Sequence, residues 1–305
     1  MKIIYPSFEE LPEDLSSPEG MRTIAGDSER YQPEILDDVV YAVKDGKEFH
    51  LRMIQPKRTA DTASLHPLLL YIQGSAWMVQ NLNNSVPNLM HIVSHGFFAA
   101  IVQYRDTSIA GFPAQIEDAK TAMRYLVKEK DNYRIDIDNV FIAGDSSGGH
   151  TALGCWATWN TKELDHEKTP LPALRGVMDF YGPTDIYSMC AYPTLMNHDD
   201  AQSPEGRLIG FKKPADHPEL CKQAAIRTYL SEEKAETSAP LLIMHGSKDT
   251  LVPFHQSVEL YESALHLGYD VTFYKIEGAD HGGSRFYSEG FEKITIAFLE
   301  NHLHS

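Results

Sequence analysis

The chain has 305 residues, a formal charge of −16, 42% hydrophobic residues and three cysteines. This length suits one large α/β domain or two small ones, and the hydrophobic content is ample for a sizeable buried core. The acidic balance repels nucleic acid and anionic membrane surfaces, so neither is expected as a partner. Cys155, Cys190 and Cys221 have neither a paired count nor a CxxC spacing. The sequence therefore predicts neither a disulfide framework nor a zinc ribbon.

The amino terminus has no basic region followed by an apolar stretch, so no signal peptide is predicted. No run of 18 apolar residues occurs, so no transmembrane helix is expected. Together these features predict a cytoplasmic protein. The sequence leaves the oligomeric state open, including an assembly of identical chains.

In chain order, residues 1–35 are predicted to form an irregular extension, and residues 36–305 the main domain. Residues 38–42 and 48–55 flank Asp45-Gly46, a pattern typical of an antiparallel hairpin. Short apolar runs without polar alternation then predict strands that are buried on both faces. These runs cover residues 68–72, 97–102, 140–143, 176–181 and 241–244, and a further strand is predicted at 271–276.

Apolar residues at helical spacing separate these strands. One predicted helix opens at Phe112-Pro113, because proline is favoured near the first helical position. Another covers residues 254–265 and ends near Gly268, a residue type that commonly follows a helix. A last helix covers 291–299. The alternation of strands and helices predicts an α/β fold with a mostly parallel sheet and helices on both faces.

Residues 184–239 interrupt this alternation. The segment contains several tyrosines, methionines and prolines, with one short helix predicted near 221–230. An insertion between two strong strands can cover a pocket as a small cap. The alternative is an ordinary surface segment that covers no pocket, and we favour the cap.

A G-x-S-x-G motif lies between the strand at 140–143 and a helical run of small residues, as a nucleophile elbow requires. In so tight a turn, side chains at Gly144 and Gly148 would collide with the neighbouring backbone. Ser146 is thereby projected from the turn beside a helix N terminus. The motif predicts that Ser146 is a nucleophile.

A serine hydroxyl needs a base, and the base needs a carboxylate to orient it. His281 lies just past the strand at 271–276, where functional groups collect in such sheets. Asp249 follows the strand at 241–244 and is the predicted acid. Asp185, which follows the preceding strand, remains the alternative acid.

The loop at 73–77 reads Gln-Gly-Ser-Ala-Trp and follows the strand at 68–72. Small residues let backbone amides approach a developing oxyanion, and we assign the N–H groups of Ser75, Ala76 and Ser147 to that role. Neither a metal nor a cofactor is predicted. The predicted substrate-pocket residues are Gln73, Trp77, Leu251 and Val252.

Between about residues 39 and 303 the sequence resembles α/β-hydrolase esterases and lipases. It is most similar to hormone-sensitive-lipase-like and feruloyl-esterase-like carboxylesterases, and its second half resembles the catalytic domain of prolyl-oligopeptidase-like peptidases. The family's oxyanion loop usually reads His-Gly-Gly-Gly or His-Gly-Gly-x-Trp. Here Gln73 replaces the histidine, and Ser75 and Ala76 replace glycines, so we expect a narrower acyl pocket. The segments that carry the likeness are 71–77, 112–119, 144–149, 245–253 and 277–282.

The resemblance implies an α/β-hydrolase fold and a serine carboxylic ester hydrolase that acts through an acyl-enzyme. The expected substrates are small-molecule esters with short or medium acyl or aryl groups, including groups carried on sugars. An amidase, arylformamidase or peptidase-like hydrolase with the same three residues is the alternative. A non-enzymatic module is disfavoured because the serine, histidine and aspartate are all present.

Overall fold

The computed structural model describes residues 7, 10–26, 30–36, 38–44, 46–57, 63–159, 161–167 and 169–304. Asp45, in the turn of the predicted hairpin, lies outside the described residues, as do residues 1–6, 8–9 and 27–29 of the predicted extension. Residues 10–26 are exposed along their whole length and contain little regular structure.

One nine-stranded sheet spans the described part of the chain. Its strands are β1 (Gln32–Ile35), β2 (Val39–Lys44), β3 (Lys47–Lys57), β4 (His66–Ile72), β5 (Phe98–Val102), β6 (Ile135–Asp145), β7 (Leu174–Phe180), β8 (Leu241–Gly246) and β9 (Val271–Ile276).

The strand order is β1-β3-β5-β4-β6-β7-β8-β9, with β2 also paired to β3. Strands β4 to β9 pair in parallel, whereas β1, β2 and β5 pair with β3 in antiparallel fashion. The predicted mostly parallel sheet is therefore confirmed. Strand β1 corrects one part of the predicted extension. Residues 32–35 were expected to be irregular, but they form a strand that pairs with β3.

Nine helical segments of the described chain have α-helical hydrogen bonding. They are α1 (Val86–Ser94), α2 (Ala114–Lys128), α3 (Lys130–Tyr133), α4 (Ser147–Thr158), α5 (Pro204–Leu208), α6 (Pro218–Ala224), α7 (Glu232–Ala235), α8 (His255–His266) and α9 (Glu289–Asn301).

The central strands are covered on both faces, as their apolar runs predict. Leu68 and Leu69 are neighbours on β4, yet they belong to two separate buried clusters, because successive side chains of a strand point to opposite faces. Residues of α2, α4 and α8 join the first cluster. Residues of α1 and α9 join the second. Within the described ranges, no helix is long and apolar enough to cross a membrane.

The 184–239 segment folds into short helices rather than strands. It contains α5, α6 and α7 together with three 3-10 turns. The single helix predicted near 221–230 is instead two pieces, α6 and a 3-10 turn at Ile226–Tyr229. The break lies at Ala225, whose extended backbone (φ −78°, ψ 123°) ends the helix.

Candidate active site

The elbow is a single residue between two regular elements. Strand β6 ends at Asp145 and α4 begins at Ser147, so Ser146 alone makes the turn, with φ 52° and ψ −126°. This backbone is strained for a residue with a side chain. A Cβ at Gly148 would lie 1.9 Å from the Ile72 carbonyl oxygen, and one at Gly144 would lie 2.2 Å from the Gly148 oxygen. Both glycines are therefore required by close backbone approach.

The predicted nucleophile, base and acid lie within hydrogen-bonding distance of one another. His281 Nε2 is 2.8 Å from Ser146 Oγ, and His281 Nδ1 is 2.8 Å from Asp249 Oδ2. The side chain of Asp249 is fully buried, and the side chain of His281 is 13% exposed. The ring of Tyr181 packs edge-on against the imidazole, with centroids 4.7 Å apart. The imidazole is thus held from two sides and faces the serine hydroxyl.

Four donors surround the Asp249 carboxylate. Oδ1 accepts from the backbone N–H groups of Leu251 and Val252. Oδ2 faces His281 and also lies 3.2 Å from Nε2 of His245. Burial raises the pKa of Asp249, but the hydrogen bonds and charges of His245 and His281 outweigh it and hold that pKa well below its ordinary value. The carboxylate is therefore ionised across the whole range in which proteins are normally assayed.

The alternative acid lies elsewhere. Asp185 Oδ2 accepts from Arg227 at 2.9 Å, and its Oδ1 accepts from the Tyr187 N–H. Asp280, the neighbour of His281, accepts from Thr250 and from the backbone N–H of His281. Of the aspartates considered as partners for His281, Asp249 is the one that the fold brings to the imidazole.

The 73–77 loop lies against the elbow. The Ser75 N–H donates to Ser147 Oγ at 2.9 Å, so it is already engaged. This corrects the predicted oxyanion set, in which Ala76 and Ser147 remain. Ala76 has φ +54°, a left-handed conformation that costs a residue with a side chain roughly 1–2 kcal/mol. A glycine, the usual residue of the resembled family, adopts it without this cost.

Buried polar groups outside the predicted set position this loop. Asp145 Oδ1 accepts from Tyr71 Oη at 2.8 Å and from the Gly74 N–H at 2.9 Å, which ties the loop to the elbow. Tyr104 Oη donates to the Gln73 carbonyl and lies 2.9 Å from Ser75 Oγ. Sequence reasoning missed Tyr104, although it follows β5 at the same edge of the sheet. Its position just after a predicted strand was the signal in the sequence that could have identified it.

A small cavity opens beside Ser146, with a volume of about 60 Å³. Trp77, Leu251 and Val252 line it, as predicted, whereas Gln73 does not. Gln73 directly follows β4 and is buried. The backbone of the next residue, Gly74, packs tightly against Asp145, and the chain lines the cavity only from Ala76 onward. The 184–239 segment contributes five lining residues, which are Met189, Met196, His198, Pro204 and Glu205.

Asp179 is a fully buried carboxyl on β7, beneath the elbow. Its Oδ1 accepts from the Gly182 N–H, and its Oδ2 has no protein partner among the described residues. Burial raises the pKa of Asp179 from 3.8 to about 7. Between about pH 4 and pH 7 the folded protein therefore holds a proton that the unfolded chain has released. The contribution of Asp179 to the free energy of unfolding should therefore fall as the pH rises across this window.

Asp179→Asn removes this titration, so the variant should lose that pH dependence. As the pH rises from 4 to 8, the free energy of unfolding of the variant should gain on that of the original protein by about 4 kcal/mol, the effect of a shift of about three pKa units. Urea denaturation at several pH values measures the effect. Asp131→Asn, at a residue with an 87% exposed side chain, is the charge-matched control and should leave the pH dependence unchanged. Equal pH dependence in Asp179→Asn would contradict the prediction.

Among the described residues, no group of three or more histidine, cysteine, aspartate or glutamate side chains is arranged to hold a metal ion. All three cysteines are free. The chemistry available at the site is that of a serine with an imidazole and a carboxylate behind it.

The sheet order, the elbow and the two loops that follow β8 and β9 define the class as α/β-hydrolase. The BD-FAE family profile matches residues 54–264. The chain belongs to the BD-FAE family.

Named relatives and solved structures agree with this class. The chain is 28% identical to ethyl acetate hydrolase of Pseudomonas putida, over 93% of this chain and 88% of that protein. It is 24% identical to esterase LipQ of Mycobacterium tuberculosis, over 63% of this chain and 44% of that protein. The chain spans about half the length of the mycobacterial esterases that it matches. A truncated carbohydrate esterase from gut microbiota superposes with a TM-score of 0.77 and 26% identity, covering 91% of this chain and 98% of that structure.

Proposed function

We propose that the protein is a serine carboxylic ester hydrolase. The observation that carries the proposal is the continuous set of hydrogen bonds from Ser146 through His281 to Asp249, at 2.8 Å each. In the proposed reaction His281 takes the proton of Ser146 as Oγ attacks the ester carbonyl. It then returns that proton to the departing alcohol.

The acyl-enzyme is then cleaved by water, again with His281 as the base. The N–H groups of Ala76 and Ser147 stabilise the oxyanion of each tetrahedral intermediate. Ser147 lies at the first position of α4, where the helix dipole adds to this stabilisation. The ionised Asp249 holds the imidazole in the tautomer that accepts from serine.

The cavity supports short acyl groups as substrates. The cavity beside Ser146 is small, about 60 Å³, which favours a short acyl group over a long chain. The relatives named as ethyl acetate hydrolase and carbohydrate esterase are consistent with a small acyl group, carried by a simple alcohol or a sugar. We propose small acyl esters, including sugar esters, as the substrate class.

We further propose that residues 184–239 form a cap on a catalytic domain that spans 36–305. Five residues of this segment line the cavity beside Ser146. The backbone N–H of Phe112, at the entry to α2, donates to the Leu208 carbonyl at 2.8 Å. These contacts support a cap that closes one side of the substrate site.

Two measurements test the proposed function together. The purified protein should hydrolyse p-nitrophenyl acetate faster than p-nitrophenyl octanoate, because the small cavity favours the shorter chain. A fluorophosphonate should label the protein, and mass spectrometry should find the adduct on Ser146. Absence of both hydrolysis and labelling would refute the proposal, and an adduct on another residue would refute this nucleophile.

A further inference from the structure

The end of β7 contacts both the nucleophile and the base. The carbonyl of Phe180, the last residue of β7, accepts from the Ser146 N–H at 2.9 Å. The next residue is Tyr181, and the centroid of its ring lies 4.7 Å from that of the His281 imidazole. The Tyr181 N–H donates to the carbonyl of Met244 on β8 at 2.9 Å. Two consecutive residues therefore connect the turn that carries the serine to the loop that carries the histidine.

The backbone of Tyr181 is strained. Its φ is +47°, in the left-handed region that residues with a side chain rarely adopt. Such conformations persist only where the surrounding structure holds them, and they cluster at active sites. A glycine would adopt this conformation freely, but it has no ring to contact the imidazole. The contacts of the ring therefore indicate what the strained conformation serves.

The ring of Tyr181 supports the histidine loop at two points. Tyr181 is buried, and the ring of Phe286 packs on it with centroids 4.5 Å apart. A Cβ built on Gly282, the residue after His281, would lie 3.0 Å from Tyr181 Oη and 3.4 Å from its Cζ. The ring thus lies against the imidazole and against the backbone that follows it. Because packing is this close, the loop cannot shift toward the ring without displacing it.

We propose that Tyr181 is a positioning residue that fixes the spacing between Ser146 and His281. This inference rests on the proposed function of those two residues. The proton transfer requires the imidazole within hydrogen-bonding reach of the hydroxyl, and Nε2 lies 2.8 Å from Oγ. The end of β7 holds the serine through a backbone hydrogen bond and the histidine through the ring.

Tyr181→Leu tests the proposal, because leucine keeps the apolar character but removes the ring. A misplacement of about 1 Å can cost about 10²-fold in rate, so kcat for p-nitrophenyl acetate should fall by about that factor. KM should change by less than about threefold, because Tyr181 does not line the cavity beside Ser146. Tyr181→Phe keeps the ring and should retain kcat within about threefold. Thermal melting checks that both variants are folded.

Phe97→Leu is the matched control for lost packing. Phe97 is buried in the same cluster as Tyr181, but it precedes β5 and so lies at the opposite edge of the sheet from Ser146. The loss of its ring costs core packing, yet kcat should stay within about threefold of the original value. If Phe97→Leu lowered kcat as much as Tyr181→Leu, lost packing would explain both effects and the positioning role would be overturned.

A second pair of variants keeps the proposal testable if Tyr181→Leu does not fold. Gly282→Ala places a methyl group against the Tyr181 ring, and kcat should fall by about tenfold. Tyr181→Phe removes Oη, the nearer of the two contacts, so the double variant should recover at least about threefold of this loss. No recovery in the double variant would contradict the proposal, since the two residues would then act independently.

The outcomes separate the two proposals. Failure of the unaltered protein to hydrolyse p-nitrophenyl acetate would refute the proposed function, and this inference with it. If the unaltered protein hydrolyses that ester and folded Tyr181→Leu keeps its kcat, the positioning role alone is refuted. A loss that appears in KM and leaves kcat unchanged would also overturn it.

Discussion

Ser146→Ala should lower kcat for p-nitrophenyl acetate by about 10⁴–10⁶-fold, because members of such a triad act as a unit. The attacking atom is lost, while the amides of Ala76 and Ser147 remain to stabilise an oxyanion. A small residual rate above that of water is therefore expected. The variant should melt at a temperature close to that of the original protein. The removed hydroxyl contributes one hydrogen bond, to His281, and such a bond is worth only about 1 kcal/mol.

Two adjacent serines in the elbow offer a matched control. Ser147→Ala removes a hydroxyl that accepts from the Ser75 N–H but leaves Ser146 and its contact with His281 in place. Ser147 Oγ also lies 3.5 Å from Tyr104 Oη. The loss of two neutral hydrogen bonds, worth about 1 kcal/mol each, should reduce kcat by no more than about thirtyfold. If Ser147→Ala abolished labelling by the fluorophosphonate while Ser146→Ala did not, the assignment of the nucleophile would be reversed.

Asp249→Asn should reduce kcat by about 10⁴-fold, as expected when the acid of such a triad can no longer orient its histidine. An asparagine has one acceptor oxygen, whereas Asp249 presents two oxygens to the donors around it. If that oxygen still accepts from Leu251 and Val252, the amide NH₂ points at His281. The imidazole must then carry its proton on Nε2, the nitrogen that faces Ser146, so it can no longer accept the proton of the serine.

Asp185→Asn is the control for this prediction. Asp185 pairs with Arg227, whose side chain is 38% exposed, and such pairs contribute at most about 1 kcal/mol. Its kcat should stay within about twofold of the original value. The measurement is steady-state kinetics on both variants, and circular dichroism checks that each variant is folded. A larger loss in Asp185→Asn than in Asp249→Asn would assign the acid to Asp185.

The strands and the elbow were predictable because their signals are local. A buried parallel strand is marked by its own apolar run, as in the 68–72 segment. The elbow is marked by two glycines whose absent side chains make room for backbone a few residues away. Strand β1 was missed because Gln-Pro-Glu-Ile carries no apolar run and is defined only by its pairing with β3.

Some features of the site could likewise be predicted from local signals, and others could not. Asp249 and His281 could be proposed from the sequence, since loops at the carboxyl ends of parallel strands meet at one edge. Sequence patterns leave open which side chains then touch. The engagement of the Ser75 amide by Ser147 and the burial of Gln73 depend on packing between segments far apart in the chain.

By itself, the sequence determined the α/β class and placed an elbow at Ser146, and it predicted the order of nucleophile, acid and base. It did so because periodicity, glycine sterics and strand-end position are all properties of short segments. Only the tertiary structure decided what surrounds that serine. Glu205 and His198 reach the cavity because the 184–239 segment folds back over the sheet, and that approach depends on burial and hydrogen bonding that no local pattern encodes.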